Sequence, residues 1–242
     1  MTPSTTSNLT ACNSGVTLVT VPSTDKFPVQ FKGSAFARKV LRLFGWQYAF
    51  LGLPELQGVI IGYPHTSNWD FIVMVLVKWA TGLQIQFLAI NSLFHYPLFS
   101  PWLRQLGGIP IDRSSKNGVV GDMLALFAKA KKEGTYLWLA LSPEGTRKFT
   151  QGWRSGFYQL AWQANVPLCA VRIDYGKKTV DFSRCLRLTG NEDADYLELA
   201  KAFEGARGFH PQQAAPIQPI KSSSSVVSQK GEHIKHISIL NN

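Results

Sequence analysis

Short apolar segments alternate with longer helical segments along most of the chain. Residues 59–61, 85–90 and 136–141 are apolar runs of strand length, whereas 69–81 and 118–132 have the length and composition of helices. The same analysis predicts further elements, namely strands at 109–111 and 168–173 and a helix at 156–164. This alternation predicts an α/β fold, a mostly parallel sheet flanked by helices. In such sheets, sites lie at the carboxyl ends of the strands.

Composition divides the chain into three parts. Residues 1–32 are rich in Ser, Thr and Pro, and residues 209–242 contain several prolines and a run of four serines. Both ends are therefore predicted to be flexible, which leaves 33–208 as one folded domain. The start has neither the basic region nor the apolar run of a signal peptide. The most apolar stretch, 71–90, is interrupted by polar residues and predicts a buried helix and strand rather than a membrane span.

A segment before the first predicted strand is basic and amphipathic. Residues 26–54 contain five basic residues and no acidic one. At helical spacing, one arc collects apolar side chains and leaves the basic ones outside it: Phe36, Val40, Leu43, Phe44 and Leu51 against Arg38, Lys39 and Arg42. The pattern suits an N-terminal amphipathic membrane-surface helix, and equally an ordinary helix packed on the core. The charge of the whole chain favours the membrane.

That charge is strongly positive. The 25 Lys and Arg against 15 Asp and Glu give a net charge of +10, which indicates an anionic partner. No RNA-binding motif, zinc-finger spacing or Lys/Arg-rich block is present, so an anionic membrane surface is favoured over nucleic acid. Cys12, Cys169 and Cys185 lie far apart, which argues against a zinc site or a disulfide framework and fits a reducing compartment.

His65 and Asp70 are the first candidates for chemistry. His65 lies in the turn after a predicted strand, and Asp70 lies in the first turn of the next helix, where the helix dipole favours a carboxylate. Asp70 can accept a hydrogen bond from one imidazole nitrogen, which leaves the other nitrogen free to act as a general base. Taken alone, the pair is better explained as a turn histidine and a capping aspartate.

Two further segments bring arginines to strand ends. Residues 142–148 follow the strand predicted at 136–141 and contain Arg147, while residues 107–113 end with Arg113. An arginine at such a position can bind a phosphate through two hydrogen bonds, although a surface salt bridge is the simpler role for either one. The sequence lacks a G-x-S-x-G elbow, a phosphate-binding P-loop, a G-x-G-x-x-G motif and an H-E-x-x-H motif.

Together these segments resemble the glycerolipid acyltransferases, of which the lysophosphatidic acid acyltransferases are typical members. His65-x4-Asp70 is similar to the first motif of the family, His-x4-Asp, and residues 108–113 to the second. Residues 143–147, Pro-Glu-Gly-Thr-Arg, are similar to the third motif, and residues 166–168, Val-Pro-Leu, to the fourth. Two departures from the family pattern leave the identity of the acceptor open. Ser142 stands where the family usually has an aromatic residue, and Cys169 and Arg172 lie within the otherwise apolar strand of the fourth motif.

The resemblance implies an O-acyltransferase of phospholipid biosynthesis at the cytoplasmic face of a membrane, peripheral or monotopic. His65 and Asp70 would be catalytic, and a fatty acyl group would pass from acyl-CoA or acyl carrier protein to a lysophospholipid such as 1-acylglycerol-3-phosphate. No metal or cofactor is implied. The implied substrate-binding residues, with the two arginines on the acceptor phosphate, are Arg113, Glu144, Gly145, Thr146 and Arg147. The alternatives are an esterase or thioesterase with the same His–Asp pair, an acyltransferase with another lipid acceptor, and a non-catalytic membrane-surface protein.

Overall fold

One seven-stranded sheet forms the centre of the molecule. A computed structural model describes residues 27–97, 99–111 and 118–220. The strands are β1 (Gln47–Ala49), β2 (Gln57–Tyr63), β3 (Gln86–Ile90), β4 (Gly108–Ile111), β5 (Leu137–Leu141), β6 (Leu168–Asp174) and β7 (Thr179–Leu186). The helices are α1 (Ala35–Leu43), α2 (Asn68–Thr81), α3 (Phe99–Gln105), α4 (Gly118–Glu133), α5 (Gly156–Gln163) and α6 (Glu192–Ala202), with two 3₁₀ turns at Asn91–His95 and Pro211–Gln213.

The strand order is β1-β7-β6-β2-β5-β3-β4, and every neighbouring pair is parallel except β6 and β7. The predicted α/β fold with a mostly parallel sheet is therefore confirmed. In register, Ile61 of β2 lies opposite Leu141 of β5 and Ala170 of β6, so these three strands end at the same edge. We call this edge the carboxyl edge.

The centre of the sheet is buried on both faces because its side chains alternate between two cores. Val59 and Ile61 pack into the core that α4, α5 and α6 cover, whereas Ile60 packs into the core that α1 and α2 cover. Gly58 has no room for a side chain, since a Cβ there would lie 2.3 Å from the Trp138 ring. This three-layer arrangement holds β2, and with it the start of the turn that follows, between two cores.

Helix α1 begins at Ser34, whose hydroxyl accepts a hydrogen bond from the backbone of Ala37. Its inner side packs on α2 through Ala37 and Leu41. The predicted apolar arc points outward instead: three of its members are exposed, Phe36 at 76%, Leu43 at 82% and Phe44 at 60%. Leu51 lies beyond the end of the helix. No helix in the described ranges is long and apolar enough to span a bilayer.

The structure adds β1, α3, β7 and α6 to the elements predicted from the sequence. The antiparallel β6–β7 hairpin places Cys169 opposite Cys185, and the two are joined by a disulfide. The sequence argument against a disulfide is therefore wrong for this pair. The reason is the hairpin, which brings residues 16 apart in sequence to facing positions.

The ends of the folded body differ from the predicted boundaries at 32 and 208. Phe27 is buried, and its backbone N–H donates a hydrogen bond to the carbonyl of Leu51. Trp153 exchanges backbone hydrogen bonds with Gln218 and Ile220. Residues 27–32 and 209–220 thus pack with the domain, whereas residues 1–26 and 221–242, the rest of the two predicted flexible ends, lie outside the described residues.

Candidate active site

The turn between β2 and α2 holds the predicted pair at the carboxyl edge. Nδ1 of His65 lies 3.2 Å from Oδ2 of Asp70, and the side chains are 28% and 1% exposed. No residue of the described ranges forms a hydrogen bond with Nε2 of His65. The geometry therefore matches a histidine oriented by a buried carboxylate with its second nitrogen available.

The local sequence explains why Asp70 sits there. Ser67 caps α2, and Asp70 at the third helical position completes a capping box by accepting from the Ser67 backbone at 2.8 Å. The Thr66 backbone donates to the same oxygen at 2.7 Å. Burial alone would raise the pKa of Asp70, but hydrogen bonds from His65 and from the Ser67 backbone lower it below its usual value. Asp70 is thus both the cap of α2 and the partner of His65. The two interpretations of the sequence, a capping aspartate and a histidine–aspartate pair, are therefore compatible.

Glu144 follows β5 and is almost completely buried. Its Oε2 accepts from the backbone N–H of His65 at 2.6 Å, and its Oε1 accepts from the backbone of Ala215 at 3.0 Å. Burial raises the pKa of this carboxyl group, while the two backbone donors oppose the shift. Both oxygens are occupied by the protein, so in this structure Glu144 holds the His65 turn in place; its predicted role as a substrate-binding residue stays a prediction.

The rest of the 142–148 loop lies beside this turn. Arg147 is exposed, and its guanidinium donates to the side chain of Asn68, the first residue of α2. Gly145 has a positive φ of 65°, and a Cβ there would lie 2.7 Å from the Arg154 side chain, so glycine is required. The Thr146 hydroxyl accepts from the Lys148 backbone. The fold thus brings Arg147 to the helix end that carries His65, whereas Arg113 lies outside the described residues.

A segment that the sequence analysis assigned largely to the tail also borders the site. We call residues 207–215 the C-terminal strap. The His210 backbone donates to the Thr66 hydroxyl at 3.1 Å, and the amide of Gln213, in the orientation that satisfies both its oxygen and its nitrogen, donates to the backbone oxygens of Arg147 and Thr66. The strap thus joins the His65 turn to the Arg147 loop. Its contacts are made mostly by backbone groups, which leave no signature in the sequence.

Tyr175 is the second residue that sequence reasoning missed. It follows β6 at the carboxyl edge, and its ring packs at right angles against Trp46 and Phe209, with centroids 5.0 and 5.3 Å away. Its position directly after a central strand was a usable signal, because the same argument selected residues 142–148.

Comparison with known proteins gives two similarities. The family model described as Acyltransferase matches residues 52–174, which is just over half of the chain and includes His65, Asp70 and Arg147. The crystal structure of PlsC, a 1-acyl-sn-glycerophosphate (LPA) acyltransferase from Thermotoga maritima, is similar over 67% of this chain and 72% of that chain, with 17% identity and a TM-score of 0.43. A likeness of that degree carries no argument about substrates. No curated protein matches the chain.

Proposed function

Because the chain belongs to the acyltransferase family, we propose that it moves a fatty acyl group from acyl-CoA or acyl carrier protein to the hydroxyl of a lysophospholipid such as 1-acylglycerol-3-phosphate. The family match confirms the acyltransferase predicted from the sequence and supports acyl transfer in lipid metabolism. The observation that carries the finer proposal is the 3.2 Å contact between His65 and Asp70 at the carboxyl edge, with Arg147 at the same helix end.

The proposed reaction needs no covalent intermediate. Nε2 of His65 takes the proton of the acceptor hydroxyl as its oxygen attacks the thioester carbonyl. The carbon–sulfur bond then breaks, and the departing thiolate takes that proton back from the imidazolium. Asp70 holds the imidazole and balances its transient positive charge, as a buried carboxylate does in Ser-His-Asp enzymes. The products are the acylated lipid and the free thiol, so protons and electrons balance without a further reactant.

Arg147 supports a phosphorylated acceptor. Its guanidinium lies at the N-terminus of α2, where the helix dipole also favours an anion. A phosphate bound there would lie beside the turn that carries His65, which places the acceptor hydroxyl within reach of the base. Arg113 is proposed as a second ligand of this phosphate, from its place after β4 in the sequence.

A two-acceptor assay tests the function. Labelled acyl-CoA and acyl carrier protein thioesters are offered with anionic vesicles and either 1-acylglycerol-3-phosphate or the monoacylglycerol with the same chain. We expect acylation of the phosphorylated acceptor, and a loss of roughly 10²–10⁴-fold with His65→Ala. His95→Ala is the matched control, since His95 is exposed in the 3₁₀ turn after β3. Thiol release without acylated lipid would favour the esterase or thioesterase, and full turnover by His65→Ala would refute the mechanism.

We further propose that the protein works as a peripheral enzyme on an anionic membrane, at its cytoplasmic face. The exposed arc of α1 ends with Leu43 and Phe44 near the carboxyl edge, where Lys178 of the β6–β7 hairpin donates to the Phe44 carbonyl. Helix α2 exposes Trp69 in its first turn, close to His65. Apolar side chains flanked by Arg38, Lys39 and Arg42 are the pattern of an interfacial surface.

Vesicle sedimentation tests this surface. The double variant Leu43→Glu with Phe44→Glu should bind vesicles of anionic lipid at least tenfold more weakly, because it removes two apolar anchors and adds two negative charges. Leu197→Glu is the control, since Leu197 is also exposed, on α6, but lies in another layer of the fold. Equal binding by the double variant and the wild type would refute the proposed surface, without bearing on the chemistry of His65.

A further inference from the structure

The carboxylate of Asp70 is used on one side only. Oδ2 accepts from the backbones of Thr66 and Ser67 and faces Nδ1 of His65, whereas Oδ1 is buried and has no hydrogen-bond partner of regular geometry among the described residues. A buried carboxylate oxygen without a donor is costly, since burial removes its water without replacing it. Oδ1 therefore marks the place where a donor is missing from an otherwise complete arrangement.

The hydroxyl of Tyr175 is the matching unused group. It too is buried and, among the described residues, forms no hydrogen bond of regular geometry, yet it lies close enough to the Asp70 carboxylate for a side-chain hydrogen bond between them to affect the pKa of both groups. Burial first, and then the interaction with Asp70, raise the pKa of Tyr175 above its usual value, so the phenol stays protonated and can only donate to a carboxylate.

The backbone around Tyr175 is fixed from both sides. Asp174 closes the hairpin by accepting from the backbones of Gly176 and Lys177 at 2.8 and 3.1 Å. The Tyr175 backbone donates to Arg207, the first residue of the C-terminal strap, at 2.8 Å. The ring of Tyr175 is held between Trp46 and Phe209, with centroids 5.0 and 5.3 Å away, so the backbone and the ring together fix where the hydroxyl lies.

We propose that Tyr175 is a positioning residue of the His65–Asp70 pair, whose hydroxyl donates to Oδ1 of Asp70 and so holds the carboxylate in the plane in which Oδ2 meets Nδ1 of His65. Its part in catalysis rests on the proposed function; its bond to Asp70 does not. The donated bond keeps Asp70 ionised, and it tempers the attraction between Asp70 and the imidazolium that forms when His65 takes the substrate proton. Within the described residues, the titratable groups that couple to Asp70 are His65 beside it, Tyr175 after β6 and Glu144 after β5.

Tyr175→Phe tests the bond, because it removes one oxygen and keeps the ring. Losing a donor to the charged form of Asp70 favours protonation, so the pair takes up its proton at a higher pH. We expect the inflection in the ¹⁵N NMR titration of the His65 imidazole, without substrate, to move up by about 0.5–1 pH unit. The acid limb of kcat/KM should move by the same amount. Tyr136→Phe is the control, since that hydroxyl is also buried and unpartnered but precedes β5 at the opposite edge.

An inflection that stays at the wild-type pH in Tyr175→Phe would overturn the proposal. An NMR shift in a protein that acylates no lipid would instead refute the proposed function and leave the Tyr175 bond standing. If Tyr175→Phe does not fold, 3-fluorotyrosine at position 175 keeps the hydroxyl and serves as a ¹⁹F reporter. The ¹⁹F chemical shift should then change at the same pH as the imidazole titrates. A ¹⁹F chemical shift that stays constant through that pH range would also overturn the proposal.

Discussion

Oε2 of Glu144 accepts a hydrogen bond from the backbone N–H of His65 at 2.6 Å. The other oxygen of this carboxylate accepts from Ala215, so one buried side chain joins the turn after β2 to the C-terminal strap. His65 is therefore held by two carboxylates in different ways: Asp70 contacts its ring, and Glu144 fixes its backbone.

Replacing Glu144 with glutamine should destabilise the protein by about 1–3 kcal/mol, because the amide nitrogen cannot accept and leaves one buried N–H without a partner. Urea unfolding at pH 7 measures the change. Glu133→Gln is the control, since Glu133 forms only an exposed pair with Lys129 at 4.0 Å, which contributes little. Equal stability of the two variants would contradict the bracing role of Glu144.

Asp70 should make the protein more stable above pH 4 than below it. Burial would raise its pKa, but the hydrogen bonds that it accepts, above all the one from His65, lower it below the unfolded value of 3.8. The unfolded chain therefore binds the proton first as the pH falls, and the stabilisation is complete above about pH 3.8 and is lost as the pH falls through the lowered folded pKa. Asp70→Asn should thus lose about 1.5–3 kcal/mol at pH 5 to 7 and progressively less below pH 4. Unfolding curves across that range decide the point, and a constant difference down to pH 2.5 would contradict it.

Arg147→Ala should weaken a phosphorylated acceptor selectively. A hydrogen bond from a cation to a phosphate contributes about 1.5–3 kcal/mol, so KM for 1-acylglycerol-3-phosphate should rise by roughly tenfold or more. KM for the thioester should stay the same, and so should KM for the matched monoacylglycerol if it is used at all. Arg184→Ala controls for the loss of one exposed charge, because Arg184 lies toward the far end of β7. An equal change for both substrates would show that Arg147 does not select the phosphate.

Gln213→Leu should loosen the C-terminal strap. The side chain keeps its approximate size but loses the donors to Arg147 and Thr66, which corresponds to about 1 kcal/mol for each bond. Both Tm and kcat should fall, since the strap holds the His65 turn against the Arg147 loop. The neighbouring Gln212 is exposed, so Gln212→Leu provides the comparison. A Gln213→Leu protein that matches Gln212→Leu in both measurements would show that the strap is not needed.

The sequence predicts the central strands well because each is a continuous apolar run. It does not reveal β7, because Asp181 and Arg184 interrupt the apolar pattern of this segment. The segment forms a strand through its antiparallel pairing with β6. For α1, the periodicity indicates an amphipathic helix but does not show which face of the helix contacts the body. Which face contacts the body depends on the fit of Ala37 and Leu41 to α2, and this fit leaves the larger apolar side chains outside.

In the candidate site, too, contacts between residues near in the sequence are easier to predict than contacts between distant ones. His65 and Asp70 are five residues apart in one turn, so local geometry can bring them together, although the spacing alone does not distinguish a contact from a turn histidine and a capping aspartate. Glu144 and Ala215 are 71 residues apart and meet through a backbone N–H that any residue but proline offers. Nothing in the Pro-rich composition of that segment indicates such a contact, which arises only when the strap folds over the edge of the sheet.

The bond between Glu144 and Ala215 also sets an order of events during synthesis. Chains fold from the amino end as they leave the ribosome, so β2 and the His65 turn emerge early. The backbone N–H of Ala215, which is the second donor to Glu144, emerges late. A nascent chain that already carries the whole family-matched region, residues 52–174, would still lack its brace. The His65 turn therefore receives its full brace only once residue 215 has left the ribosome.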